Sequence, residues 1–253
     1  TILILKVACA CFGSVQVFLL GDQMYNRNME KVCIFIDSGN FYHLVLKKLG
    51  LKEINFDFEK FSKFLAGERE IAKEGKRFYV ATVREKAGWH ENQTAMSNQT
   101  TFFSGLINIG NWKIETSKLR TRREKIKIDD RVEGFQGLLK LGIKEITYER
   151  SREKGVDVKL AIDLVIEAID GRYDTAILVS SDTDIVPAVD LVRSRLKKKV
   201  EYIGFSIPES DTYEATKPVK RMIYSTDTQR VLSDLDIKSF IVKNLFVKEL
   251  GRD

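Results

Sequence analysis

The chain has 253 residues, with 42 Lys and Arg against 36 Asp and Glu, a formal charge of +6, two histidines and three cysteines. At 43% apolar and 31% charged it is an ordinary globular composition, which excludes disorder and fibrous architectures. Cys9, Cys11 and Cys33 form an odd, clustered set that is no disulfide framework and points to a reducing compartment, the cytoplasm. His43 and His90 have no partner at metal-ligand spacing, so carboxylates must carry any chemistry.

Residues 1–20 are almost entirely apolar, broken by Lys6 and Gln16, about the span needed to cross a bilayer. Three readings compete for the extension 1–28: a membrane anchor, a packed helix, or sequence upstream of the working start. The third is preferred, because a domain begins cleanly at Met29 and no basic start or small-residue cleavage site marks a signal peptide. A membrane partner then follows only if residues 1–20 are a genuine anchor.

Lys31–Asp37 (KVCIFID) reads as a strand buried on both faces. Phe41–Leu49 reads as a helix closed by Gly50, and Asp57–Leu65 as an amphipathic helix with Phe58, Phe61 and Leu65 on one face. Arg77–Val83 is a strand, 93–109 a helix and Trp112–Leu119 a strand. Residues 113–127 then hold seven basic side chains against Glu115 and Glu124, and their low apolar content suggests an exposed loop. Gly155–Ile169 is a helix, Thr175–Ser181 a buried strand, Asp184–Leu196 a helix and Lys199–Phe205 a strand. Such alternation predicts an α/β domain over 29–225, with a mostly parallel central sheet and helices on both faces. Residues 226–253 read as a helical tail, whose stripe of Val231, Leu235, Phe240, Ile241, Leu245 and Phe246 along a helix over 228–247 suits a protein partner or a homodimer.

In an open parallel sheet the ligand site lies at the carboxyl ends of the strands. Two strands finish there on acids: Ile34-Phe35-Ile36-Asp37-Ser38-Gly39-Asn40 and Ile177-Leu178-Val179-Ser180-Ser181-Asp182-Thr183-Asp184. Helix capping is the plain alternative for Asp184, but one cap needs one residue and this turn offers four. On the helix from Gly155, a turn of roughly 100° per residue puts Lys159, Asp163, Glu167 and Asp170 on one stripe, read as the solvent face. Asp157 falls with Ala161, Leu164 and Ala168, so it should point inward, towards Asp37 and Asp182.

Carboxylates gathered this closely raise each other's pKa and call for a cation. Hard oxygen donors without His or Cys select Mg²⁺ or Mn²⁺, the pattern of metal-assisted phosphodiester hydrolysis. The chain lacks the G-x-x-x-x-G-K-[ST] phosphate loop, and no G-x-G-x-x-G follows the first strand. A phosphatase using Asp37 would want a second Asp two residues on, where Gly39 stands.

Three segments, Phe35–Tyr42 (FIDSGNFY), Glu153–Asp163 (EKGVDVKLAID) and Leu178–Pro187 (LVSSDTDIVP), together resemble the NYN domain family, the LabA-like branch of the PIN-like ribonucleases, over about residues 31–205. The resemblance implies a PIN-like α/β fold and a Mg²⁺-dependent endoribonuclease acting on RNA. It implies Asp37, Asp157, Asp182 and Asp184 as the acidic centre, Asn40 shaping the adjoining loop and Ser180 positioning a phosphate. Asp163 matches a recurrent family acid and so joins Asp37, Asp157, Asp182 and Asp184 among the implied metal ligands, at odds with its place on the solvent stripe. Thr183 and Ile185 stand where relatives commonly carry Gly and an aromatic residue, which bears on loop shape and substrate preference. RNA would be gripped by basic residues, among them Lys154, Arg122 and Arg123, and Trp89 and His90 could stack on bases. The competing reading is a non-catalytic regulator that keeps the acidic pocket and binds RNA or protein.

Overall fold

The computed structural model describes residues 29–82, 90–118, 120–152 and 155–242. The 1–28 extension, Trp89, Lys154 and the end of the tail with Leu245 and Phe246 lie outside them, and of the His90 side chain nothing is described. No helix among the described residues is long and apolar enough to cross a membrane.

Six strands form one sheet: β1 (Lys31–Asp37), β2 (Glu70–Thr82), β3 (Lys113–Lys118), β6 (Thr175–Val179), β7 (Lys199–Ser206) and β8 (Thr228–Ser233). Their order is β3-β2-β1-β6-β7-β8, and every neighbouring pair runs parallel. The near-continuous apolar runs of β1 and β6 suit this arrangement, since both strands are covered on two faces. Alternate residues of β1 feed two cores. Val32, Ile34 and Ile36 face α2 (Phe58–Ala66) and α3 (His90–Gly110), in a core of Phe41, Phe56, Phe58, Phe61, Phe78 and Phe102. Cys33 and Phe35 face α5 (Val156–Ile169) and α6 (Val186–Ser194), with Leu160, Leu164, Val189 and Val192. The α/β sheet with helices on both faces is as the pattern of the chain predicts.

Between β1 and α2, α1 (Ser38–Phe41) runs on into a π-helical segment, Tyr42–Leu46. Gly50 follows at φ 68°, a left-handed turn that glycine adopts without steric cost.

Three expectations give way. The basic segment is no loop: β3 is followed by β4 (Arg120–Lys127), which pairs antiparallel with β5 (Glu145–Arg152) in a separate two-stranded ribbon. Short α4 (Phe135–Lys140) lies between them. Cross-strand ion pairs, Arg123 Nε to Glu149 at 3.4 Å and Lys125 Nζ to Glu145 at 2.9 Å, offset what would otherwise be a crowded basic strand.

The helix expected over 228–247 is β8 followed by the five-residue α8 (Asp234–Lys238). Backbone pairing of β8 with β7 satisfies an edge that a helix would leave open. Ser233 ends the strand by capping α8, its Oγ and amide both engaging the Asp236 carboxylate. Phe240 is buried against Phe56 and Phe61, so the sheet and its core continue past residue 225.

The third concerns α5, where Asp163 and Glu167 of the charged stripe turn inward while Lys159 and Asp170 stay exposed. Arg77, buried in β2, donates Nη1–H to Asp163 at 3.0 Å and places Nη2 2.5 Å from Glu167. The Tyr79 hydroxyl also donates to Asp163, at 2.8 Å, and burial pushes its phenol up, keeping it a donor. Lys159 reaches the Thr116 carbonyl at 2.7 Å. An apolar stripe is exposed as well: Val158, Ile162, Ile166 and Ile169. Helical periodicity puts Leu164 and Ala168 on the core side but does not show that Asp163 and Glu167 turn in beside them. A buried arginine on the neighbouring strand decides that here.

Candidate active site

The carboxyl ends of β1 and β6 lie side by side, since Ile36 pairs with Val179. Asp37 ends β1 and caps α1: its Oδ1 accepts the Asn40 amide at 2.9 Å, while its Oδ2 accepts the Ser180 hydroxyl at 3.2 Å. Both carboxylate oxygens are thus fixed, one from its own turn and one from the turn after β6. Asn40 ties the turns together a second time, because its Oδ1 accepts the Ser181 amide at 2.9 Å.

Beyond β6, the Ser180 Oγ also accepts the Asp182 amide at 3.2 Å, so one hydroxyl joins the two acidic turns. The Asp182 carboxylate caps the single 3₁₀ turn Thr183–Ile185, accepting the Asp184 amide at 2.8 Å. Capping therefore accounts for one oxygen of Asp182, and Asp184 stands exposed in that first turn. Ser181 is held from behind by a 2.8 Å hydroxyl contact to the buried Tyr202.

Gly155 sits at φ 97°, a left-handed conformation that lets the chain turn sharply into α5. Asp157 follows in the first turn of α5, half-buried and within electrostatic reach of Asp37, Asp182 and Asp184. Burial raises its carboxyl pKa above the ordinary range, and the charges of Asp182 and Asp184 raise it further. Asp37 is pushed up to about 6, chiefly by burial and then by Asp157 and Asp182, against the lowering effect of the Asn40 and Ser180 hydrogen bonds. The four carboxylates therefore form one electrostatic cluster, and among the described residues the charges acting on Asp37 and Asp157 are those of other carboxylates.

Uncompensated negative charge of this kind, on hard oxygen donors, fits a divalent cation. Among the described residues, no three carboxylate, imidazole or thiolate side chains stand close enough to cage an ion. That suits an ion held by one or two carboxylates, with water or phosphate completing its shell.

Asp163, expected among the ligands, has its Oδ2 engaged by Arg77 and Tyr79. The network of Arg77, Tyr79, Asp163 and Glu167 was not legible in the sequence. Arg77 opens an apolar run (RFYVATV) and reads as its exposed first residue, but β2 begins at Glu70 and Arg77 pairs with Phe35 in the middle of the sheet. Of the basic residues expected to grip RNA, Arg122 is exposed on β4 and Arg123 is exposed but paired with Glu149.

The family model of the NYN domain matches residues 31–226. The 6-hydroxy-3-succinoylpyridine 3-monooxygenase of Pseudomonas putida is 36% identical over 67 residues, 26% of this chain. That match spans 20% of the length of this curated relative. Among solved structures, a protein of unknown function from Vibrio parahaemolyticus aligns with a TM-score of 0.50 and 19% identity, over 87% of this chain and 100% of that one. At such identity the likeness is one of fold alone.

Proposed function

The chain belongs to the NYN domain family, and from this we propose that it is a metal-dependent endoribonuclease that hydrolyses RNA phosphodiester bonds at its all-aspartate edge. The observation carrying the reading is the shared electrostatics of Asp37, Asp157, Asp182 and Asp184, built from two strand ends and one helix start. An RNA phosphodiester is negative as well, so one cation would offset both the carboxylates and the phosphate that water attacks.

Among Asp37, Asp157, Asp182 and Asp184, one or two carboxylates would hold each Mg²⁺ or Mn²⁺ ion, with water or phosphate completing its shell. When bound, the ion lowers the pKa of a coordinated water and offsets charge on the phosphate. The protein's own residues prepare the site. Asn40 and Ser180 fix both oxygens of Asp37, so that its carboxylate cannot swing away from the edge. Ser180 couples Asp37 to the Asp182 turn, and we assign it this positioning role rather than a phosphate contact. Asp163 we read as part of the scaffold, locked by Arg77 and Tyr79, and outside the ion's ligands. The β4–β5 ribbon offers Arg122, and Arg123 beside it, to the RNA backbone. Lys154 is proposed for the same task from its place just ahead of α5.

The test is cleavage of labelled RNA with Mg²⁺ or Mn²⁺, comparing wild type with Asp37→Asn and Asp182→Asn. The reading expects loss of cleavage by a factor of at least about 100 in both variants, the scale on which a positioned catalytic group acts. Equal activity in all three proteins would sink it.

The second reading is a non-catalytic regulator with the same acidic edge. The exposed apolar stripe of α5 favours it, because Val158 and Ile162 line, with Leu191 of α6, a groove of about 500 Å³ whose wall includes Asp157 and Asp184. A surface of that kind is what a partner would cover. RNA binding without cleavage by any form of the protein would select this reading.

A further inference from the structure

A second cavity, of about 330 Å³, opens on the α2–α3 face of the sheet, within the size range of small-ligand sites. Ser38, which lines it, directly follows Asp37, so the cavity begins one residue from the acidic edge. Resting on the ribonuclease reading, we propose that this cavity receives an unstacked nucleobase of single-stranded RNA, next to the phosphate at Asp37 and Asp182.

Its chemistry is that of a flat aromatic ring with a polar rim. The Tyr42 and Phe103 rings and Val80 supply apolar wall, and both rings are half-buried, leaving part of each for contact. Glu53 and Gln99 supply polar groups at the same cavity. Gln99 is steadied by donating to the Ala81 carbonyl at 3.3 Å. Burial raises the Glu53 carboxyl pKa, as a carboxyl drawn into such a recess should show. Lys52 also lines the cavity, so its rim carries one charge of each sign and does not single out a phosphate, while a purely apolar chain would use neither charged group. A base uses both halves: it stacks on the aromatic wall and offers its ring and exocyclic N–H groups to the carboxylate. A base within a duplex could not enter, so the substrate class is single-stranded RNA.

The test measures binding in chelator, where no cleavage intervenes, of a short single-stranded RNA and of an abasic ribose-phosphate oligomer of equal length. Wild type should favour the base-bearing oligomer by roughly 5- to 100-fold, the worth of one stacked base. Tyr42→Leu, which keeps apolar volume, should remove most of that preference while leaving affinity for the abasic oligomer unchanged, which also reports an intact fold. Glu53→Gln should alter the ranking among the four bases. Equal affinity for the two oligomers, or a preference that survives Tyr42→Leu, overturns the pocket. Pocket and nuclease fail separately. Cleavage dependent on Asp182 without any base preference leaves the nuclease and removes the pocket. Base-dependent binding with no cleavage in Mg²⁺ does the reverse.

Discussion

Asn40 Oδ1 accepts the Ser181 amide at 2.9 Å, joining the turn after β1 to the turn after β6 across 141 residues of chain. With the Ser180–Asp37 hydrogen bond at 3.2 Å it makes the acidic edge a cross-linked unit rather than two adjacent turns.

Asn40→Ala breaks that tie and leaves the partly buried Ser181 amide without its acceptor. The expected cost is about 1 to 2 kcal/mol of stability, read by denaturant unfolding. RNA cleavage should fall more steeply than stability, because Asp182 loses its register with Asp37. Unfolding curves that superimpose on wild type would show that the tie carries nothing.

Asp37 gives a pH signature. Its carboxyl titrates at about 6 in the folded chain, against an ordinary 3.8, so the folded state holds its proton more tightly than the unfolded state does. The stability this contributes is fully present below pH 4 and is lost as pH rises through 6. Asp37→Asn should therefore be close to neutral for stability below pH 4. Above pH 6 it should stabilise the cation-free protein by up to about 3 kcal/mol, measured as Tm against pH. Adding Mn²⁺ should raise the Tm of wild type at pH 7 and move that of Asp37→Asn less.

Arg77 predicts a severe structural lesion. Its removal leaves Asp163 half-buried without its cationic partner and Glu167 buried with only the largely exposed Arg172 at 3.3 Å. Arg77→Met should cost about 3 to 5 kcal/mol, seen in urea midpoints. Replacing Arg77, Asp163 and Glu167 together by apolar residues of similar size should recover much of that loss. A triple variant no more stable than Arg77→Met would show that the network does more than balance its own charges.

On the β4–β5 ribbon, Arg122 is exposed and Arg123 faces Glu149 at 3.4 Å. If the ribbon grips RNA, Arg122→Ala should weaken binding of every sequence alike and lower the slope of log affinity against log salt by about 1. Arg123→Ala should act more weakly, since its charge is already partly offset by Glu149. A salt slope unchanged in both variants removes the ribbon from the RNA path.

Much of this architecture is local chemistry written into the chain. Lys31–Asp37 and Thr175–Val179 are short, β-rich and apolar throughout, which only a strand covered on both faces uses. Both run directly into acidic turns, so the gathering of these turns at one sheet edge could be read before any coordinates. The expectation that Asp157 points inward came from helical spacing alone. What could not be read depended on partners far along the chain. The β4–β5 ribbon has no apolar alternation to announce it, because ion pairs such as Lys125–Glu145 take the place of buried side chains. The segment 228–233 carries apolar residues compatible with a helix, and became a strand because β7 offered a free edge.

Composition and periodicity by themselves determined an α/β chain with a parallel sheet, a carboxylate edge and two distinct stripes on α5, since each of these repeats within a few residues. Only the tertiary structure decided that Asp163 and Glu167 turn in beside the apolar line of Leu164 and Ala168. Arg77, 86 residues away from Asp163 in sequence, lies beneath the helix and draws Asp163 and Glu167 inward, since a buried guanidinium must be met by carboxylates. The apolar residues Val158, Ile162 and Ile166 are left on the surface as a consequence.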